Sequence, residues 1–142
     1  MNGKTFGIAA LAIGAALAFA APASAEKMTM KIDLTGAAEV PPNDSPAKGT
    51  ADVTYDTTSK MLTWKTTYSG LTGPATMAHF HGPAEAGKNA AVVIPFKDAS
   101  SGASGSATLT DAQAADLMAG KLYINVHTAK NPGGEIRGQV KK

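Results

Sequence analysis

The segment Met28-Thr-Met-Lys-Ile-Asp-Leu-Thr35 changes polarity at every residue. Met28, Met30, Ile32 and Leu34 are apolar, and Thr29, Lys31, Asp33 and Thr35 between them are polar. Successive side chains of a β-strand point to opposite faces, so this period fits a half-buried strand and not a helix. The same period returns at Leu62, Trp64, Thr66 and Tyr68, and more weakly across Gly49–Tyr55, with turn chemistry at Asp56–Lys60 between the two. Further strands are expected at Ala75–His81, Ala91–Phe96, Gly102–Leu109, Lys121–Thr128 and Glu135–Val140. Glycine and proline punctuate nearly every junction, and Asp98–Gly105 reads as a Ser/Gly-rich loop. One helix is expected, at Asp111–Ala119. Thr110 can cap it with Gln113 completing a capping box, and Gly120 is placed to end it. About eight short strands and one short helix imply an all-β, antiparallel Greek-key β-sandwich.

Residues 1–25 read as a secretory signal peptide: Lys4 supplies the positive start, an apolar run extends from Phe6 to Ala21, and Ala23-Ser24-Ala25 gives a small-x-small cleavage site. The run is alanine-rich and short for a span of roughly 30 Å, so cleavage after Ala25 is favoured over a retained anchor. The expected mature domain is residues 26–142, with no stable membrane anchor after cleavage, in the periplasm or secreted. Cysteine is absent, which rules out a disulfide and a lipid-bearing cysteine. A net charge of +2 is too balanced for an electrostatic nucleic-acid binder.

The three histidines are confined to Met77-Ala-His79-Phe-His81-Gly-Pro83 and to Tyr123-Ile-Asn-Val-His127-Thr, and the only arginine, Arg137, follows in Asn131-Pro-Gly-Gly-Glu135-Ile-Arg137-Gly. Strand alternation puts Met77, His79 and His81 on one face of their strand. It puts Tyr123, Asn125 and His127 opposite the apolar Leu122, Ile124 and Val126. If Lys130–Gly134 is a five-residue loop, Ala129 pairs with Glu135, His127 with Arg137, Val126 with Gly138 and Asn125 with Gln139. A slip of one residue would scramble both faces. Two imidazoles at i and i+2 with a third from another strand make a three-nitrogen set for copper or zinc, with Met77 and Glu135 as further candidate ligands. Arg137 nearby would help keep His127 neutral, as a metal requires. Whether the two histidine strands are neighbours is open at this level.

Glu39, in Ala-Ala-Glu39-Val-Pro-Pro, reads as an exposed carboxylate before a fixed turn. It could pair with Arg137 or a lysine and brace the first loop, or join Glu135 at a cation; the bracing role is the favoured one. Asn125 and Arg137 are supporting rather than ligating residues in this reading. Trp64 and Phe80 are read as core, and Gly133-Gly134 as a hairpin loop because no helix follows it. No Ser–His–Asp pattern, paired catalytic carboxylates or nucleotide fingerprint is present.

The chain resembles the CHRD family, the domain first described in chordin and common in exported bacterial proteins. The resemblance rests on Leu34-Thr-Gly36-Ala-Ala-Glu39-Val-Pro41-Pro42, Tyr68-Ser-Gly70-Leu-Thr-Gly73-Pro74-Ala, His79-Phe-His81-Gly-Pro83-Ala, Ala91-Val-Val-Ile-Pro95, Leu109-Thr-Asp-Ala-Gln and Leu122-Tyr-Ile-Asn-Val-His127-Thr…Pro132-Gly-Gly-Glu135-Ile-Arg137-Gly-Gln139. It implies an immunoglobulin-like or dismutase-like sandwich and little about activity. Three functions follow in order: an exported module binding copper or zinc through His79, His81 and His127; a metal-free structural or interaction domain of the cell envelope, its protein partner unknown; and a dismutase-like metalloenzyme. The last lacks the second set of histidines and aspartate, and the cysteine pair, that such an enzyme uses.

Overall fold

A computed structural model describes residue 3 and residues 24–142, so nearly all of the expected leader lies outside the described residues. The described chain forms β1 (Lys27–Thr35), β2 (Lys48–Asp56), β3 (Met61–Ser69), β4 (Ala75–His81), β5 (Val92–Pro95), β6 (Ser104–Thr108), α1 (Asp111–Met118), β7 (Leu122–Thr128) and β8 (Ile136–Val140), with a 3-10 turn at Gly36–Ala38. In β1 the apolar set Met28, Met30, Ile32 and Leu34 is buried, while Lys27, Thr29, Lys31 and Asp33 are exposed. Thr110 accepts from the Gln113 backbone N–H at 3.2 Å and donates its own N–H to the Gln113 side chain at 3.0 Å. Gly120, at φ +70°, ends the helix where a side chain would be strained.

The strands form one eight-stranded sheet in the order β5-β4-β7-β8-β1-β2-β3-β6, every pair antiparallel. The sheet folds over on itself: Trp64 of β3 meets Phe80 of β4 edge-on at 5.0 Å between ring centroids and stacks on Phe96 at 4.9 Å. Strands far apart in sheet order therefore enclose one core, which includes Leu34, Val53, Leu62, Phe80, Ile124 and Ile136. Consecutive strands β3 and β4, and β6 and β7, are separated in the sheet, a connectivity compatible with the Greek-key expectation.

Strand β7 departs from simple alternation, because all seven of its residues are buried. Leu122, Ile124 and Val126 face the core. Tyr123, Asn125 and His127 lie under a second, polar layer supplied by loops: Tyr123 bonds to Ala90, Asn125 to the Gly133 carbonyl and His127 to the Pro132 carbonyl.

The β7–β8 hairpin corrects the expected register by two residues. Asn125 pairs with Arg137, Tyr123 with Gln139, Ile124 with Gly138 and Val126 with Ile136. Beyond the last pair, Val126–Ile136, Thr128 and Asn131 close a turn of their own. The Thr128 N–H donates to the Asn131 carbonyl at 3.3 Å, and the Asn131 N–H donates to Thr128 Oγ1 at 3.2 Å. A shift of two preserves parity, so each side chain keeps its expected face.

Candidate metal centre

Strands β4 and β7 are hydrogen-bonded neighbours, with Met77 opposite His127, His79 opposite Asn125 and His81 opposite Tyr123. Ala78 and Phe80 enter the core, which leaves Met77, His79 and His81 beside the polar side chains of β7. One ring nitrogen from each of His79, His81 and His127 lies within 4.8 Å of the others. His79 Nδ1 is 3.1 Å from His127 Nε2. His81 and His127 are buried, and His79 is half-buried at the open side.

Backbone carbonyls set the protons of two of the rings. His81 Nδ1 lies 3.0 Å from the Ala90 carbonyl and His127 Nδ1 lies 2.8 Å from that of Pro132. A carbonyl only accepts, so each neutral ring carries its hydrogen on Nδ1 and leaves Nε2 as a lone pair. His81 Nε2 is buried and has no hydrogen-bond partner. Asn125 Oδ1 stands 2.9 Å from His127 Nε2; this contact is a hydrogen bond only in the His127 cation, and in the neutral Nδ1–H ring Nε2 keeps its lone pair. Burial, followed by the neighbouring His127 and His81, pushes the His79 pKa down to about 4. Burial likewise lowers His81, against the bond to Ala90 that favours its cation. Both rings are thus held in the uncharged form that can ligate.

The remaining expected residues divide. Met77 lies directly across from His127 and is 49% exposed, at the rim of the cluster. Glu135 is drawn away from the histidines: its buried carboxylate accepts from Ser45 Oγ, the Thr72 N–H, Thr72 Oγ1 and Thr128 Oγ1. Burial would raise its pKa, but these bonds outweigh burial and hold it at about 2. Glu39 is buried rather than exposed, because the Gly36–Ala38 turn directs it inward. Burial pushes it up to about 7 against the Arg137 guanidinium, and its Oε1 has no partner. A Cβ on Gly134 would collide with that oxygen, so glycine there makes room for it.

Arg137 does not face His127 as the expected register required. Its guanidinium carbon lies 3.4 Å above the Tyr123 ring, and it donates to Asn89 Oδ1 and the Lys88 carbonyl. Tyr123, not singled out from sequence, stacks on His81 with centroids 4.8 Å apart and planes 1° from parallel. Its alternation with His127 already assigned it to the histidine face. The Lys88–Ala90 segment and Pro132, which supply the carbonyls, left no signal because any residue offers that group.

A folded-over antiparallel sheet with three imidazoles converging on one face defines a β-sandwich protein with a candidate three-nitrogen centre. The chain belongs to the CHRD family: the CHRD domain model matches residues 30–140. No curated protein and no solved structure matches it.

Proposed function

We propose that this is an exported CHRD-domain binding module that holds one copper or zinc ion per chain through His79, His81 and His127. The observation carrying this reading is His81 Nε2, a buried lone pair without a partner beside two other imidazoles. Buried polar atoms are nearly always satisfied, and an orphan marks a place for a water or an ion. Metal–nitrogen bonds of roughly 2.0–2.1 Å place tetrahedral ligand nitrogens about 3.3 Å apart. The 3.1 Å between His79 and His127 is already close to that spacing. Copper is favoured over zinc by Met77, which pairs with His127 across the strands and carries a thioether, a ligand type that suits Cu(I). The alternative, a metal-free structural domain of the envelope, draws support from the hydrogen bonds that His79, His127 and Asn125 make among themselves.

Titration of the untagged protein with Cu(II), Cu(I) under reducing conditions and Zn(II) separates the two. One saturable site is expected, weakened strongly in His81→Ala and His127→Ala and little in Glu39→Gln. No saturable site in the wild type, or equal binding by the triple alanine variant, overturns the metal reading and leaves the structural one.

A further inference from the structure

His81 can offer Nε2 to a ligand only while its proton stays on Nδ1, and that depends on where the Ala90 carbonyl sits. Ala90 belongs to the loop between β4 and β5, and Lys88 and Asn89 beside it are exposed. Buried side chains from two other strands hold this segment. The Tyr123 hydroxyl accepts the Ala90 N–H at 3.0 Å and lies 3.3 Å from the Ala90 carbonyl, the same oxygen that receives His81 Nδ1. Arg137 donates to the Lys88 carbonyl and to Asn89 Oδ1, and Asn89 Nδ2 ties the segment to the Val40 carbonyl at 3.2 Å.

Arg137 is 2% exposed. No carboxylate forms an ion pair with it among the described residues, where the pairs found are Lys60–Asp111 and Lys121–Glu85. Burying a guanidinium without a contacting counter-charge is costly, and the buried Glu39 acts on it through space without an ion pair. Here its side-chain partners are the loop and the Tyr123 ring. Tyr123 is reached by His81 from β4 and by Arg137 from β8, the strands on either side of β7.

The geometry points to Tyr123 and Arg137 as positioning residues that lock the His81 tautomer by clamping Lys88–Ala90. This inference rests on the reading of His81 as a ligand. Neither residue is required to touch the ion. Groups that orient a ligating imidazole through its other nitrogen typically change metal affinity by 10- to 100-fold when removed.

The test uses two mild variants. Tyr123→Phe keeps the stacked ring and removes the hydroxyl, and Asn89→Ala removes a tether from an exposed position without entering the core. Long-range 1H–15N imidazole spectra of the metal-free protein read the tautomers. In the wild type, His81 should be a single Nδ1–H form. In both variants it should show averaged Nδ1 and Nε2 signals, while His127, pinned by Pro132, stays Nδ1–H as an internal control for folding. Copper titration of the same samples should show about a 10- to 100-fold loss of affinity. A His81 signature already averaged in the wild type, or one unchanged in both variants, overturns the clamp. Averaging in the variants combined with no copper site in the wild type supports the clamp and removes the ligand reading, so the two failures are distinct.

Discussion

Replacing Glu135 by glutamine tests how the loops around the candidate centre are held. The fully buried carboxylate accepts from Ser45 Oγ at 2.6 Å, the Thr72 N–H at 3.0 Å, Thr72 Oγ1 at 2.9 Å and Thr128 Oγ1 at 2.7 Å. It thus joins the β1–β2 loop, the β3–β4 loop and the end of β7. The amide retains one acceptor oxygen but must turn a donor toward hydroxyls that were donating, and all the bonds lose charge assistance. The Glu135 pKa is held at about 2 against a reference of 4.5. At about 1.36 kcal/mol per pKa unit this bounds the linked stabilisation near 3 kcal/mol, and we expect about 2–3 kcal/mol lost at neutral pH. Because the folded pKa is depressed, the stabilisation is present above about pH 4.5 and disappears as pH falls through about 2. Urea unfolding of wild type and variant should show a constant difference from about pH 7 to about 4.5, then convergence toward about pH 2. A neutral-pH difference below about 1 kcal/mol, the value of an ordinary neutral hydrogen bond, or one that ignores acid, refutes this account.

Gly105→Ala would drive a Cβ into the Trp64 indole; unfolding should show about 1–3 kcal/mol of lost stability, with a shift in the fluorescence of the single tryptophan. His79, with its pKa lowered to about 4, and His81, lowered as well, resist protonation. Metal affinity measured against pH should therefore begin to fall lower than the pH of about 6 expected for ordinary imidazoles. A loss governed by three protons near pH ~6.5 would contradict that shift. Mass spectrometry of the extracytoplasmic fraction should find the chain beginning at Glu26. An intact Met1 in membranes would refute cleavage.

Much of the fold is legible because each strand declares its two faces. The alternation in β1 and β3, the span of β4 and the Thr110–Gln113 capping box all appear where the residues place them. The histidine set is legible for the same reason, since His79 and His81 share a face by period and the adjacency of β4 and β7 then brings them to His127. The hairpin register was not legible. It depends on whether Thr128 bonds to Asn131, a local contest that leaves hydrophobic parity untouched. Glu39 reads as exposed because charged residues are rarely buried, yet it and Arg137 are both buried. Their burial comes from loops crossing the sheet, which no periodicity records.

The pairing of β8 with β1 has a consequence for the order in which this chain can mature. Thr35 pairs with Arg137, so the first strand of the sheet takes one of its two neighbours from residues more than a hundred positions later. Gly138 is packed against the Asp33 carbonyl, Ile32 and Leu34, leaving no room for a substitute side chain. During synthesis β1 and β2 can form a ribbon, but its free edge waits for residues 136–140 to leave the ribosome. Such sequence-distant pairing folds slowly, since loop closure precedes its reward. For a chain exported as proposed, delayed closure would favour a threadable polypeptide until translocation is under way.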